Sequence, residues 1–490
     1  MAYLYGAALQ GIQSYIFSTN LLKEIVGASE IVEKICTEGF KKYVDGDNYE
    51  VIVSAAGNIK LKFENKKDME LLVQEFPKYV HKEAPGITIS QAVVEVEGDI
   101  KKKHFNKLEK LLKVQRNIIS KPFVHSALGI KRDPRSGQSA SNYDSSGGKQ
   151  PFDLSRHIKD KNVNMKNLTK KLCKEGDDQK NIFPKDLSDI TKSDDSSWLA
   201  VIHADGNSLG QIIQKLGDHA KDKLTEVFKR FSDELDKATC KSANVAFEKT
   251  IKSQNLSIHP MRPVIIGGDD LTIICRADLA IPFLKAYLTE FERLSGEFLK
   301  TMGNDYKIDL PEKITACAGI AYVKEKYPFH YAIDLAENLC SYAKQKSKEI
   351  NKDTAPSSLM FHKVQAGFVE SFDEIKKKEL SAHSAGVDFT FGPYFLEDQT
   401  DYWSLDTFIK LKDKMVSQEK FPLSGLRKYL SELHFDGHSA ENLWQRILQI
   451  NGSFKDTLGK IKVNDNKKTP IYDLLSIISF EKNDTKEGGN

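Results

Sequence analysis

The chain has 490 residues, of which 29% are charged, and a formal net charge of only +3. This length predicts two or three domains with sizeable cores, and the balanced charge excludes a global basic field for nucleic acid. The six cysteines form no C-x-x-C pair, which excludes a zinc ribbon or thioredoxin-type site and suits a reducing compartment. Neither a signal peptide nor an apolar run of about 20 residues is present. We therefore expect a cytoplasmic protein with no membrane partner.

The first part of the chain predicts a β-α-β-β-α-β order, which is typical of a ferredoxin-like unit. The predicted elements are a strand at Tyr3–Leu9, a helix at about Leu21–Tyr43, a hairpin at Val51–Phe63, a helix near Asp68–His81 and a strand near Thr88–Val96. The turn of this hairpin, Ala55-Ala56-Gly57-Asn58, carries no carboxylate.

A loop-rich and lysine-rich region follows the first unit. After a basic helix at Lys101–Arg116, turn-forming residues dominate Ala127–Ala140 and Ser145–Gly148. The polar segment from Asp153 to Lys192 predicts helices of an insert, with its charges on a solvated face.

The second ordered unit predicts the same element order as the first. Its elements are a strand from Ser197 to Asp205, a helical region at about Leu224–Lys252, a hairpin at Pro263–Cys275, a helix at about Ala280–Met302, a strand at about Ile314–Val323 and a helix at about Tyr331–Ile350. The repeat of the order indicates a diverged internal duplication.

The end of the chain predicts helices. Phe389–Tyr394 predicts an added strand, apolar residues recur at helical spacing from Ser404 onward, and the tail after Phe480 predicts disorder. The fold class is therefore α+β, with two ferredoxin-like domains, a helical insert and a small α-helical domain. The predicted boundaries are 1–125, 126–195, 196–400 and 401–490.

Two adjacent carboxylates stand at the turn of the second hairpin. The turn Gly267-Gly268-Asp269-Asp270 lies between β-branched runs, and its glycines allow positive backbone angles. Such turns are often merely solvated. In a ferredoxin-like sheet, however, the first and third strands are antiparallel neighbours, so we expect Asp205 beside Asp269 and Asp270. Converging carboxylates repel one another unless a cation neutralises them, which predicts a two-metal site for Mg²⁺ or Mn²⁺ and attack on phosphorus.

The neighbouring segments predict contacts with a nucleotide. A turn after Asp205 leads into a helix, whose N-terminal N–H groups can hold phosphates. The predicted binding residues are Gly206, Asn207, Ser208, Gly210, Gly267 and Gly268. Lys344 is expected to neutralise a leaving pyrophosphate, with Lys348 one turn further along the same face. The alternatives are a capped turn after Asp205, a surface lysine at Lys344 and a packed His203.

The chain resembles the palm domains of nucleotidyl cyclases and polymerases, and most closely the large subunit of type III CRISPR effector complexes, of the Cmr type. The segments that carry the resemblance are Ala204-Asp205-Gly206-Asn207-x-x-Gly210, Gly267-Gly268-Asp269-Asp270, Ala336-Glu337 to Ala343-Lys344, Gly11–Phe17 and Lys23–Glu30. A double palm with a degenerate first copy and a helical C-terminal domain also fits, so the resemblance covers nearly the whole chain.

Two features depart from that family. Its members often begin with an HD nuclease domain, whereas this sequence starts at the first palm. They also often carry a cysteine zinc site between the palms, and Arg132–Ala140 looks like that loop without its cysteines. We therefore expect neither an HD nuclease nor structural zinc.

The resemblance implies an antiviral enzyme that makes a signalling nucleotide from ATP when target RNA binds. Asp205, Asp269 and Asp270 would hold Mg²⁺ or Mn²⁺, and a 3′-hydroxyl would attack the α-phosphate of ATP. The product would be cyclic oligoadenylate, or AMP joined to another acceptor such as S-adenosylmethionine. The implied partners are the other subunits of the complex, guide RNA and target RNA.

Two further hypotheses stay open from the sequence. A stand-alone diguanylate cyclase or a templated polymerase is the first, although Asp270-Leu271 departs from the Gly-Gly-Asp/Glu-Glu-Phe signature. A non-catalytic scaffold of an RNA-guided complex is the second, and the intact carboxylates argue against it.

Overall fold

The computed structural model describes residues 1–44, 48–55, 57–118, 129–143, 150–173, 183–191, 197–220, 223–254, 256–365 and 371–481. The first unit contains β1 (Ala2–Gln10), α1 (Ile12–Ile16), α2 (Leu22–Thr37), β2 (Tyr49–Ala55), β3 (Asn58–Phe63), α3 (Lys66–Glu83), β4 (Thr88–Val96) and α4 (Lys102–Arg116). Its sheet has the order β2-β3-β1-β4, and β1 is antiparallel to both of its neighbours. The predicted ferredoxin-like unit is confirmed.

Strand β1 is buried along almost its whole length because helices cover both faces of its sheet. Helix α4 lies directly on it, since a Cβ at Gly6 would come within 2.8 Å of Leu108 Cδ2. Phe105, Leu108 and Leu112 form the buried stripe of α4 at helical spacing. The basic helix of the sequence is therefore an amphipathic cover, and its lysines lie on the exposed side.

The connecting region contains β5 (Ala140–Tyr143), β6 (Pro151–Asp153), α5 (Leu154–Lys161), α6 (Asn167–Leu172) and α7 (Leu187–Thr191). Its charges were expected on a solvated face, and for two lysines this was wrong. Lys159 is only 2% exposed, and its Nζ donates to Tyr15 O at 2.6 Å and to Ser18 Oγ at 2.8 Å. Lys171 reaches both ferredoxin-like units. These partners come from distant parts of the chain, which a local charge pattern does not reveal.

The loop that follows Arg132 is closed by a buried carboxylate. Asp133 is fully buried, and it accepts hydrogen bonds from the backbone N–H groups of Arg135 and Asp153. Arg156 Nη1 lies 2.8 Å from Asp133 Oδ2, and Arg156 Nε lies 3.0 Å from Glu24 Oε1. This network ties the loop and α5 to helix α2 of the first unit.

The second unit contains β7 (Trp198–Gly206), α8 (Leu209–His219), α9 (Leu224–Thr250), β8 (Met261–Gly267), β9 (Asp270–Arg276), α10 (Ala280–Tyr306), β10 (Ala316–Lys324), α11 (Phe329–Ile350) and β11 (Ser358–Lys363). Its sheet has the order β14-β11-β10-β7-β9-β8, where β14 is Tyr394–Phe395. The strands β10-β7-β9-β8 repeat the arrangement of the first sheet. The second ferredoxin-like unit is thus confirmed, with two added strands.

The prediction of an added strand at Phe389–Tyr394 was wrong in position. The strand next to β10 is β11, which runs parallel to it, and β14 begins only at Tyr394. Pro393 has no N–H to donate to a ladder, so the chain joins the sheet only after it.

Helix α11 packs unusually close to the second sheet. A Cβ at Gly319 in β10 would lie 1.9 Å from Ala336 O and 2.5 Å from Cys340 N. A residue with a side chain would push the helix away, so Gly319 sets this approach. The consequence is that side chains of α11 can reach the end of the neighbouring strand β7.

The remaining elements are α12 (Phe372–Lys378), β12 (Ser381–Ala382), β13 (Val387–Asp388), α13 (Leu405–Ser417), α14 (Leu423–Phe435), α15 (Gly437–Ile450), α16 (Lys455–Ile461) and α17 (Ile471–Ile478). The predicted helical end of the chain is confirmed. Its packing includes Trp444 and Tyr429, whose ring centroids are 4.8 Å apart.

The predicted boundaries at 125/126 and 195/196, and the predicted disorder of 482–490, lie outside the described residues. The domain division itself stays a prediction. No helix in the described part of the chain combines the length and the hydropathy that crossing a bilayer requires.

Candidate metal and nucleotide site

Strand pairing brings Asp205 and Asp270 together at one edge of the second sheet. Strands β7 and β9 are antiparallel, with Ala204 opposite Leu271, so Asp205 near the end of β7 stands beside Asp270 at the start of β9. One ligand atom each of His203, Asp205 and Asp270 lies within 4.8 Å of the other two. The two carboxylates meet although their positions are far apart in the sequence.

Asp269 lies in the turn itself, on the side of Asp205. Gly268 precedes it with a φ of 60°, a conformation that glycine adopts without strain. A Cβ at Gly206 would come within 3.1 Å of Asp269 Cβ, so the absence of a side chain at Gly206 makes room for Asp269. Asp205 thus lies close to the carboxylates of both Asp269 and Asp270.

Crowding changes the acidity of these carboxylates. Burial raises the pKa of Asp269, and the charges of Asp270 and Asp205 raise it further. Burial also raises the pKa of Asp270 to about 6, with Asp205 adding to the shift and Lys344 opposing it. Like charges that share a half-buried site favour a bound cation.

The lysine predicted from the sequence reaches the carboxylates. Lys344 Nζ lies 2.5 Å from Asp205 Oδ2 and donates to Gly206 O at 2.9 Å. It is mostly buried, with 20% of its side chain exposed, so it is not a surface lysine. Lys348 is exposed one turn further along α11 and forms no ion pair with any described carboxylate.

The contacts made by the turn after Asp205 fit its predicted nucleotide-binding role only in part. Asn207 is buried, its backbone N–H donates to Thr315 O at 2.8 Å, and its Nδ2 donates to Thr315 Oγ1 at 3.0 Å. These donors therefore hold the loop before β10 and do not face a ligand. Ser208 has a φ of 59° and precedes α8, and a Cβ at Gly210 would meet open space. The backbone at Ser208 and Gly210 is the part that a phosphate can approach.

The hairpin turn is held from behind by α9 and by the insert. Asp236 Oδ1 accepts from Gly268 N at 3.1 Å, and Thr239 Oγ1 donates to Gly268 O at 2.5 Å. Lys171 Nζ donates to Ile266 O at 2.8 Å. A Cβ at Gly267 would lie 3.3 Å from Asp236 Oδ1 and 3.5 Å from Lys171 Nζ, so these two side chains pack closely against the backbone of the hairpin.

A cavity of about 260 Å³ lies between the two ferredoxin-like units and opens to Asp270. The first unit contributes Gly11–Ser14 and Gly57, and the second contributes Gly267 and Asp270. The carboxylate-free hairpin of the first unit therefore faces Asp270 of the second across this space.

A direct hydrogen bond crosses between the units at the rim of the site. Gln13 Nε2 donates to Glu337 Oε1 on α11. Burial, together with the charges of Asp334, Asp270 and Asp205, raises the pKa of Glu337 to about 7. Glu337 thus lies within the electrostatic field of Asp205 and Asp270.

The sequence favours a packed His203 over a catalytic one. His203 is buried, but Nδ1 lies 3.3 Å from Thr272 Oγ1 and one ring nitrogen lies near both Asp205 and Asp270. Burial lowers its pKa and favours the neutral ring. The alternation of a strand, which puts residues 203 and 205 on one face, was the available signal. Gln13 and Glu337 lie in segments that carry the resemblance, but nothing in the sequence predicts that they contact each other, and no motif includes Lys171.

The donor set fits a divalent cation. Asp205 and Asp270 supply hard oxygen ligands, and His203 adds a nitrogen to the same group. Asp269 lies outside this group, but its charge adds to the crowding that favours a cation. Lys344 is the lysine seen to pair with these carboxylates among the described residues.

Residues 198–354 match the family model described as Cas10/Cmr2, second palm domain. This segment contains Asp205, Asp269, Asp270 and Lys344. No curated protein matches the chain in sequence.

Solved structures share the fold over almost the whole chain. They include a Csm1–Csm4 cassette in complex with cA4 (TM-score 0.57, 13% identity) and one in complex with AMPPNP (TM-score 0.52, 12% identity). Csm1 of T. onnurineus has a TM-score of 0.55 and 13% identity. The first two comparisons cover 98% of this chain and 69% and 70% of the other, and the third covers 97% and 69%. At these identities the likeness establishes the fold.

Proposed function

We propose, from the premise that residues 198–354 make this chain a Cas10-type palm subunit, that it synthesises a signalling nucleotide within a type III CRISPR effector complex. It would act in the cytoplasm with the other subunits, guide RNA and target RNA, and target RNA would switch it on. The observation that carries the proposal is the convergence of Asp205, Asp269 and Asp270 at one edge of the second sheet, where Asp270 borders the cavity between the palms.

The proposed reaction is transfer of AMP from ATP. The oxygen of an acceptor hydroxyl bonds to the α-phosphorus, the bond from that phosphorus to the bridging oxygen of the β-phosphate breaks, and pyrophosphate leaves with the electron pair. Divalent metal ions, when bound by Asp205, Asp269 and Asp270, would supply charge neutralisation and activation of the hydroxyl. The proton of the hydroxyl goes to solvent or to a basic group nearby.

The side chains around the carboxylates have separate tasks in this proposal. Lys344, held by Asp205 and Gly206 O, offers its positive charge to the triphosphate. The backbone at Ser208 and Gly210 approaches the phosphates at the start of α8. Asp236 and Thr239 keep the hairpin turn fixed, so the carboxylates need little rearrangement.

The acceptor would occupy the cavity bounded by Gly11–Ser14 and Asp270. Structures of similar fold are described in complex with cA4 and with AMPPNP. We therefore favour an adenylate acceptor and cyclic oligoadenylate as the product. Transfer of AMP to S-adenosylmethionine is the alternative outcome for the same donor site.

The test is a synthesis assay on the assembled complex. The complex, with and without target RNA, is incubated with α-³²P-labelled ATP, Mg²⁺ or Mn²⁺, and unlabelled S-adenosylmethionine in a separate arm. We expect a labelled product and pyrophosphate only with target RNA. Asp269→Ala/Asp270→Ala should remove both, because no metal-binding turn remains.

A matched double variant on the exposed helix α12, Asp373→Ala/Glu374→Ala, controls for loss of two acidic residues and should leave the product unchanged. Equal synthesis by the two double variants would refute the proposal. A product formed only from GTP would favour a diguanylate cyclase. No product under any arm, with a complex that still binds target RNA, would favour a scaffold.

A further inference from the structure

His203 stands on the same face of the sheet as the two metal-site carboxylates. In an antiparallel sheet, residues paired directly opposite one another project to the same face, and His203 is paired with Gly319 of β10. The space where a Gly319 side chain would stand is filled by α11. His203 therefore points toward α11, as does Asp205 two residues further along β7.

A hydroxyl group on the neighbouring strand β9 orients the imidazole ring of His203. Thr272 is the residue paired with His203 on β9, and its Oγ1 lies 3.3 Å from His203 Nδ1. A second ring nitrogen stays available to a ligand when the first is engaged in this way. Such contacts commonly fix the ring of a metal-binding histidine.

We propose that His203 is a metal ligand together with Asp205 and Asp270, and that this nitrogen makes the site select Mn²⁺ over Mg²⁺. The ligand atoms of the three residues all lie within 4.8 Å of one another, a spacing that one cation can bridge. Mg²⁺ prefers an oxygen shell, whereas imidazole suits first-row transition metals. The inference rests on the proposed function only in placing a metal at these carboxylates.

The choice of cation distinguishes a metal-ligand role of His203 from mere packing. A packed histidine would tolerate any isosteric polar residue, with no change in the choice of cation. A ligand histidine replaced by glutamine offers an oxygen in place of the nitrogen, so the preference for Mn²⁺ should fall while Mg²⁺ binding persists.

The experiment measures metal binding directly on the full chain without substrate. Free Mn²⁺ is followed by electron paramagnetic resonance, and Mg²⁺ is then added as the competitor. We expect His203→Gln to weaken Mn²⁺ binding by at least about tenfold and to lower the concentration of Mg²⁺ that displaces it. His219→Gln, on the exposed face of α8, should behave as the unaltered chain.

Two further measurements keep the test decisive. Circular dichroism in the presence of EDTA shows whether His203→Gln is folded, and His203→Asn provides a smaller polar variant if it is not. Unchanged Mn²⁺ affinity in a folded variant would overturn the role of His203. If Asp270→Asn also binds Mn²⁺ normally, the carboxylate site fails as well, and this outcome counts against the proposed function.

Discussion

Gln13 and Glu337, 324 positions apart, are joined by a hydrogen bond from Nε2 to Oε1. Gln13 belongs to the first palm and lines the cavity that opens to Asp270. Glu337 belongs to helix α11, which also carries Lys344. The first palm is thereby connected by side chains to the helix that reaches the carboxylates of the second. In the proposed function, this connection aligns the cavity that would hold the acceptor.

The bond between Gln13 and Glu337 should appear as coupling in a double-mutant cycle. Gln13→Ala and Glu337→Ala should each lower kcat/KM for ATP, and the double variant should lose less than the product of both effects. The expected coupling is about 0.5–3 kcal/mol. Gln345→Ala and Glu349→Ala, an exposed pair on the same helix, should show independent effects close to zero. Independent effects at the first pair would contradict the alignment role.

Lys171 contacts the first palm and the strand that leads into the Gly267–Asp270 turn of the second. Its Nζ lies 2.8 Å from Glu33 Oε1 of the first palm and donates to Ile266 O at 2.8 Å. Burial lowers the pKa of Lys171, but Glu33 and Asp236 outweigh this effect and raise it overall. The lysine therefore stays charged at neutral pH.

Removing that charge should loosen the turn. We expect Lys171→Met to lower the melting temperature and to reduce kcat more than it changes KM, because Glu33 loses its partner and the turn loses a support. Lys171→Arg should retain part of the rate. Lys170→Met, the exposed neighbour in α6, is the matched control and should have no effect. Equal kcat values for the two methionine variants would contradict this role.

The close approach of α11 makes Gly319 sensitive to substitution. Gly319→Ala places a Cβ 1.9 Å from Ala336 O unless the helix moves, so we expect a cost of about 1–3 kcal/mol in the free energy of unfolding. Because the helix also carries Lys344, activity should fall as well. In Gly459→Ala, by contrast, the new Cβ meets open space within α16, and this variant should be neutral or slightly stabilising. Chemical denaturation of both variants makes the comparison.

Asp473 should make the stability of the helical end of the chain depend on pH. It is buried and accepts from Tyr394 OH at 2.7 Å, and burial raises its pKa to about 7. The unfolded value is about 3.9, so the folded state binds the proton more tightly. The stabilising contribution is complete below the unfolded pKa and is lost as the pH rises through about 7.

The asparagine side chain in Asp473→Asn cannot titrate, so this variant lacks the dependence of stability on pH that Asp473 causes. Stabilities of both proteins, measured from pH 5.5 to 8.5, should diverge as the pH rises toward about 7, with the asparagine variant relatively more stable at the alkaline end. The difference should change by about 1.4 kcal/mol per pH unit between the unfolded and the folded pKa and become constant above the folded pKa. Parallel curves across the range would show that Asp473 is not protonated in the folded protein.

The local sequence pattern was sufficient to predict the fold of the two palms. Alternating and helical periodicities predicted the repeated β-α-β-β-α-β order, and the order of strands in each sheet followed from that unit. Asp205 and Asp270 could be placed side by side because their strands are neighbours in such a sheet. Because the fold is regular, the positions of these carboxylates could be predicted from the sequence alone.

Only the tertiary structure decided which other side chains surround them. Gln13, Lys171 and Glu337 come from three separate segments, and no spacing in the sequence relates them. Asn207 was predicted to face a nucleotide, but packing turned its donors into the protein. Strand and helix periods fix the face on which a residue lies. Which distant side chains surround that residue depends on how the folded units pack against one another. That packing is determined by shape and burial over the whole chain.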